Sequence, residues 1–174
     1  MALEVLAQEG RAKIQIEYLA QRLGVTKGSF YAHFPGRREF ITSVAAYWAD
    51  TLTVNTLKKL STAEGKAEER LLLLMQTIKK SQLEKYDLVM RAWALDEPLV
   101  AKQVEKVDTL RFEYIKSLFS EMGFKGAELE MRSMLFQAYH SLSNALTGTL
   151  FEENRLKHEN LRHQFFIQKM DQTD

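Results

Sequence analysis

Residues 16–40 decide the fold of this chain and read IEYLAQRLGVTKGSFYAHFPGRREF. Residues 16–23 place apolar side chains at the i, i+3, i+4 and i+7 positions of one helix face. Gly24 can take the left-handed backbone conformation that ends such a helix. Thr26 is a good N-cap for a second helix over residues 27–34. Because only about three residues separate the two helices, the spacing predicts a helix-turn-helix.

The second helix of this pair presents polar side chains to its surroundings. Val25 and Phe30 are expected to fill the space between the two helices, and Phe34 to close their small core together with Leu19. The residues left facing outward carry hydrogen-bond donors and no acid, around a glycine that allows close approach of a backbone: Thr26, Lys27, Gly28, Ser29, Tyr31 and His33. Such a helix suits insertion against phosphates and base edges. The spacing alone also fits a small helical subdomain with a solvated polar face.

The distribution of charge supports the first interpretation. The formal net charge of the 174 residues is only +1, so no global field attracts the whole molecule to nucleic acid. Residues 21–38, however, hold four basic side chains and no acidic one, whereas the rest of the chain has a slight acidic excess. A short basic segment of this kind is a local electrostatic footprint for a polyanion.

Composition limits the remaining possibilities. The chain has two prolines, eight glycines and many good helix formers, so we expect an all-α protein of one or two domains. It has no cysteine, which excludes disulfides and thiolate zinc sites. No apolar stretch approaches the length of a membrane span, and the N-terminus lacks the basic start of a signal peptide. These features predict a soluble cytoplasmic protein.

About nine helices are predicted from the periodicity and the punctuating residues. They cover Ala2–Gln8, Ile16–Leu23, Lys27–Phe34, a long helix from Pro35-Gly36 towards Leu60, Lys66–Glu84, Tyr86–Leu95, Asp96 or Pro98 to Gly123, Gly126–Phe151 and His158–Met170.

The stretch from residue 19 to residue 40 resembles the N-terminal signature of the TetR (TetR/AcrR) family of transcriptional regulators. The match rests on Leu19, Ala20, Gly24, Val25, Thr26, Gly28, Ser29, Phe30, Tyr31, His33, Phe34, Arg37 and Phe40, all in register. The resemblance implies a three-helix, helix-turn-helix DNA-binding domain over residues 1–45 and a helical ligand-binding and dimerisation domain over residues 46–174.

The resemblance also implies roles for individual residues. Lys27 would reach a base edge or a phosphate in the major groove, and Gly28 would let the helix approach. The remaining members of the interface would bind phosphates: Thr26, Ser29, Tyr31, His33 and Arg37. Arg37 stands where lysine is common in the family, and it keeps the charge.

Two residues depart from the family pattern. Gln15 stands at the N-cap of the helix over residues 16–23, where Thr or Ser is usual. Glu17 occupies a position where some members place a basic or polar residue against a base. The basic arm before the first helix is also short or absent. These departures motivate an alternative, a helical small-molecule-binding protein whose DNA-reading head is degenerate.

The C-terminal two-thirds is less specific. The resemblance implies a homodimer formed through the last helices, with interface candidates Leu135, Leu142, Ala145, Leu146, Leu161 and Phe165. Aromatic and methionine side chains suit an adaptable apolar pocket, and the candidates to line it are Trp48, Met75, Met90, Trp93, Phe112, Phe119, Phe136 and Tyr139. Both sets, at helical spacing, also fit an ordinary intramolecular core.

We find no catalytic constellation or metal-ligand spacing around His140, His158 and His163. We therefore expect a regulator and not an enzyme, with no cofactor and no metal. The predicted function is that of a ligand-responsive repressor that binds a palindromic operator as a homodimer. Its predicted partners are double-stranded DNA, a second copy of the chain and an apolar or aromatic effector, with no membrane.

Overall fold

The computed structural model describes residues 1–81 and 83–169, and over these residues the chain is helical and has no strand, which confirms the all-α class. Two predicted helices include residues outside the described part, Gln82 in the fifth and Met170 at the end of the ninth. No helix in the described part is both long and apolar enough to cross a membrane. The helices are α1 (Ala2–Glu9), α2 (Ile16–Leu23), α3 (Lys27–His33), α4 (Arg37–Ala49), α5 (Asn55–Ser61), α6 (Ala67–Ser81), α7 (Leu83–Ala94), α8 (Pro98–Glu121), α9 (Gly126–Leu142), α10 (Thr149–Leu156) and α11 (Glu159–Ile167).

The chain divides into two compact units. The first unit contains residues 1–56 and 85–108, and the second contains residues 57–84 and 109–174. The predicted domain boundary between residues 45 and 46 stays a prediction.

The first unit is built around the pair α2 and α3. Gly24 ends α2 in the left-handed conformation, at φ 67°, as its position in the sequence predicts. In the same turn the backbone N–H of Val25 donates to the carbonyl of Ala20 at 3.0 Å. Leu19 and Trp48 are fully buried in a core to which α1, α2, α3, α4, α7 and the first part of α8 contribute. This core holds α2 and α3 in place from one side.

The second unit has its own aromatic core. The rings of Phe119 and Phe136 lie 6.0 Å apart, and those of Phe136 and Phe166 lie 5.0 Å apart, in edge-on arrangements. Arg132 of α9 fixes the end of α11, because its guanidinium donates to the carbonyls of Phe166 and Gln168, each at 2.7 Å. The last helix is therefore docked on α9 by both apolar and charged contacts.

The structure corrects one predicted helix. The span Gly126–Phe151 is not a single helix, because α9 ends at Leu142 and α10 begins only at Thr149. Between them the chain makes a short 3₁₀ turn and reaches Gly148 at φ 110°, a conformation that side chains strongly disfavour. The weak helix formers Ser, Asn, Thr and Gly in this stretch explain the interruption. The predicted long fourth helix instead continues from α4 through a wider π-helical turn into α5.

Candidate nucleic-acid interface

Helix α3 is positioned by its cap and by an aromatic cluster beneath it. The hydroxyl of Thr26 accepts a hydrogen bond from the backbone N–H of Ser29 at 3.1 Å, which confirms the predicted N-cap. The rings of Phe30, Phe34 and Phe40 lie 5.1–5.4 Å apart in tilted and edge-on contacts, which are favourable geometries for aromatic pairs. The cluster fixes one face of α3 inside the first unit and leaves the other face outside.

All seven residues predicted to contact DNA are exposed to solvent: Thr26, Lys27, Gly28, Ser29, Tyr31, His33 and Arg37. The Thr26 hydroxyl already caps α3, so this structural role explains the presence of threonine here without a contact to a phosphate. The expectation that Val25 fills the space between α2 and α3 is wrong, because this side chain is 40% exposed. Phe30, the other residue expected there, is buried and packs against the rings of Phe34 and Phe40.

Gly28 has no internal reason to be glycine. A Cβ atom built there would meet the Thr26 hydroxyl oxygen at 3.8 Å, an ordinary van der Waals distance. The residue also lies within α3, where glycine is a poor helix former. No contact within the chain therefore requires a glycine here, and the exposed backbone carries no side chain that would hold another molecule away.

Glu17 forms an ion pair that the sequence did not reveal. The Glu17 carboxylate oxygen Oε1 lies 3.4 Å from Nζ of Lys27, and both side chains are exposed. A hydrogen bond from its own backbone N–H and the nearby Lys27 ammonium hold the pKa of Glu17 below its usual value. The residue that departed from the family pattern is therefore the partner of the principal predicted DNA-contact residue.

Two further ion pairs involve Arg37, at the start of α4, and Arg11. Nη1 of Arg37 lies 3.2 Å from the carboxylate oxygen Oε2 of Glu97, and the neighbouring Asp96 pairs with Arg11. These four side chains line a small cavity of about 280 Å³ within the first unit. Sequence patterns carry no signal for this contact, since Arg37 and Glu97 are 60 positions apart.

The predicted dimer residues are exposed apolar residues of the second unit, and three of them, Leu146, Leu161 and Phe165, line one groove. All six are exposed, and neighbouring apolar side chains such as Met134, Leu150 and Phe151 are exposed as well. A groove of about 480 Å³ opens on this face, and its walls include Phe151, Leu161 and Phe165. We call this surface the apolar face; its predicted members are Leu135, Leu142, Ala145, Leu146, Leu161 and Phe165.

The predicted pocket residues do not form one group. Trp48, Met90 and Trp93 are buried in the core of the first unit, whereas Met75, Phe119 and Phe136 are buried in the core of the second. Phe112 and Tyr139 are only partly buried, and Tyr139 lines the groove on the apolar face. Their role in binding an effector stays a prediction.

Known proteins resemble this chain along most of its length. Residues 1–44 match the family of bacterial regulatory proteins named tetR. The chain is 24% identical over 157 residues to the HTH-type transcriptional regulator SrpR of Pseudomonas putida, a match that covers 90% of this chain and 73% of that protein.

Two solved structures share the fold. A transcriptional regulator from Rhodococcus sp. Rha1 matches with a TM-score of 0.70 and 20% identity, over 94% of this chain and 92% of its own. A TetR transcriptional regulator from Legionella pneumophila matches with a TM-score of 0.65 and 15% identity, over 95% of this chain and 87% of its own. By sequence, residues 1–44 thus belong with the tetR family of bacterial regulatory proteins, and the fold of the chain is that of known transcriptional regulators.

Proposed function

We propose that this protein binds duplex DNA as a homodimer in the cytoplasm, represses transcription from a palindromic operator and responds to an apolar or aromatic effector. The observation that carries the proposal is the outward face of α3, where Lys27, Ser29, Tyr31 and His33 are exposed around Gly28. The face is rich in hydrogen-bond donors, and α3 itself contains no acid.

The chemistry of this face matches the groups that duplex DNA offers. Phosphate oxygens accept hydrogen bonds from hydroxyl, ammonium and imidazole groups, and such contacts fix the position of a protein on the duplex. Lys27 is long enough to reach beyond the backbone to a base edge, where lysine pairs with the O6 and N7 acceptors of guanine. Gly28 allows α3 to lie close against the groove.

The exposed apolar face and the small size of the reading helix support the homodimer. Exposed apolar patches of this extent usually mark interaction surfaces, and identical chains most often associate through one self-complementary patch. A dimer places two copies of α3 on successive turns of the duplex, about 34–36 Å apart, which requires a palindromic operator.

The effector response is supported by the family resemblance and by the aromatic and methionine side chains of the two cores. A ligand that binds one DNA-affinity state better than another shifts the operator equilibrium by its differential affinity, typically about 1–3 kcal/mol. Thermal denaturation in the presence of aromatic test compounds, followed by operator binding with each stabilising compound, checks this part separately.

Fluorescence anisotropy with a duplex selected from random sequence tests the DNA-binding proposal. We expect the logarithm of the affinity to fall linearly with the logarithm of the salt concentration. Lys27→Ala should weaken binding by about 1–3 kcal/mol and lower the salt slope by about one, and Tyr31→Phe should weaken it by about 1 kcal/mol. Lys58→Ala, which removes an exposed charge from the second unit, is the matched control.

The pairing of Lys27 with Glu17 and of Arg37 with Glu97 favours the alternative of a small-molecule-binding protein with a degenerate head, since it offsets two predicted contacts. The same titration separates the two functions. A wild-type protein that selects no duplex, or that binds with no dependence on salt, supports the alternative.

A further inference from the structure

Two opposite charges lie together on the surface of the reading head, the pair of helices α2 and α3. Glu17 lies in the first turn of α2 and Lys27 is the first residue of α3, and their charged atoms are 3.4 Å apart. The side chains of Lys27 and Glu17 are 63% and 54% exposed. Ion pairs at such exposure contribute little to folding stability, so stability does not account for the pairing of this acid with Lys27.

The acid needs a partner when the head meets DNA. Its pKa lies below the usual range, so the carboxylate is ionised at neutral pH. An ionised carboxylate is repelled by phosphates and accepts hydrogen bonds only. In the major groove the donors are the amino groups of cytosine and adenine, N4 and N6.

The spacing of the pair matches one base-pair edge. In a C·G pair the cytosine amino group donates to guanine O6, so this donor and acceptor lie about 2.9 Å apart on the groove edge. The Glu17 oxygen and the Lys27 nitrogen are separated by a similar distance, 3.4 Å. The carboxylate acceptor can therefore face the cytosine amino group while the ammonium donor faces guanine O6. The cytosine amino group lies at one side of guanine O6 and N7, whereas the adenine amino group lies between two acceptors that repel a carboxylate.

We propose that Glu17 and Lys27 together read one C·G base pair in each half-site. Glu17 accepts a hydrogen bond from cytosine N4, and Lys27 donates to O6 and N7 of the paired guanine. The inference rests on the proposed function, and it makes Glu17 a residue that determines specificity instead of a sign of degeneration.

Selection of bound duplexes from random sequence, with the wild type and with Glu17→Gln, tests the proposal. The wild type is expected to select C·G at one fixed position of each half-site. Glu17→Gln is expected to lose this preference or to shift it towards A·T, because a glutamine amide pairs with adenine N6 and N7. Glu4→Gln removes the same charge from α1 and should select the wild-type sequence.

The strength of this preference is measured by comparing the affinity for the selected duplex with the affinity for a duplex in which the C·G pair is changed to A·T. The change should weaken the wild type about fivefold to a hundredfold and should weaken Glu17→Gln much less. Replacing the guanine by 7-deazaguanine removes N7, and it should weaken the wild type but not Lys27→Met. Circular dichroism and thermal melting establish that each variant is folded.

Two results overturn the proposal while the proposed function stands. One is a folded Glu17→Gln variant that selects the same C·G pair as the wild type. The other is a Glu17→Gln variant that binds every duplex more weakly than the wild type by one common factor, with no change in base preference. A wild type that selects no duplex at all removes both the proposal and the proposed function.

Discussion

Nη1 of Arg37 lies 3.2 Å from Oε2 of Glu97, so the arginine assigned to a phosphate already has a carboxylate partner. The Arg37 side chain is 72% exposed, whereas that of Glu97 is only 13% exposed. In the proposed complex with DNA, a phosphate would share this guanidinium with Glu97. We therefore expect the ion pair to lower the affinity of the protein for DNA.

Removing the carboxylate should strengthen DNA binding. In Glu97→Gln the Arg37 guanidinium loses its charged partner, and an ion pair of this exposure is worth up to about 1 kcal/mol, or about fivefold in affinity. Anisotropy titrations at two salt concentrations measure the gain. Glu113→Gln, which removes an exposed charge from the second unit, should leave the affinity unchanged. In Arg37→Ala the substitution at Glu97 should have no further effect; a gain that persists there would contradict the competition.

Gly28→Ala should separate folding from DNA binding. The added Cβ meets only the Thr26 hydroxyl at 3.8 Å, and alanine is the better helix former, so the free energy of unfolding should rise by about 0.5–1 kcal/mol. The same methyl group stands on the outer face of α3 and should hold the helix away from the groove, which weakens operator binding at least several-fold. Urea denaturation and anisotropy give the two quantities on one sample. A variant that binds operator like the wild type would remove the argument that Gly28 serves close approach.

The reading head could be predicted from the sequence because its determinants are local. Gly24 and Thr26 mark the turn within three residues, and both take the conformations that their positions predict. The partners Glu17 and Glu97 could not be predicted, since periodicity says nothing about which side chains of different helices meet. Aromatic residues at helical spacing look alike whether they form a core or line a pocket, and six of the eight pocket candidates are buried in one or the other of two separate cores.

His140 should make the stability of the protein depend on pH. Burial, and to a smaller extent the charge of Arg162, lower the pKa of His140 to about 3. Its ring packs against Phe136 at 4.4 Å between centroids, and its Nε2 atom is buried without a hydrogen-bond partner. The unfolded chain binds a proton at about pH 6.5, whereas the folded chain does not. The contribution of His140 to the free energy of unfolding is therefore fully present above pH 6.5. It is lost as the pH drops towards 3, by up to about 1.4 kcal/mol per pH unit.

A comparison of the wild type with His140→Phe isolates the contribution of His140 to this pH dependence. His140→Phe keeps an aromatic ring but cannot bind a proton, so its free energy of unfolding should fall less between pH 7.5 and pH 5 than that of the wild type. Carboxylates titrate in both proteins and cancel in the comparison. His33→Asn, which removes an exposed histidine, is the matched control. Equal pH dependence in the wild type and in His140→Phe would show that His140 is protonated as readily in the fold as outside it.

Phe165→Glu should convert the protein to a monomer. The Phe165 side chain is 73% exposed on the apolar face, so a second copy that covers this face would bury a charge without a partner. Sedimentation velocity should show the mass of one chain, and operator affinity should fall because each monomer holds a single half-site. Leu95→Glu places the same charge at an exposed leucine of the first unit and should remain dimeric. Because Phe165 is exposed in the single chain, the variant should keep its helical content, so lost association cannot be attributed to unfolding. A Phe165→Glu protein that still sediments as a dimer would place the interface on another surface.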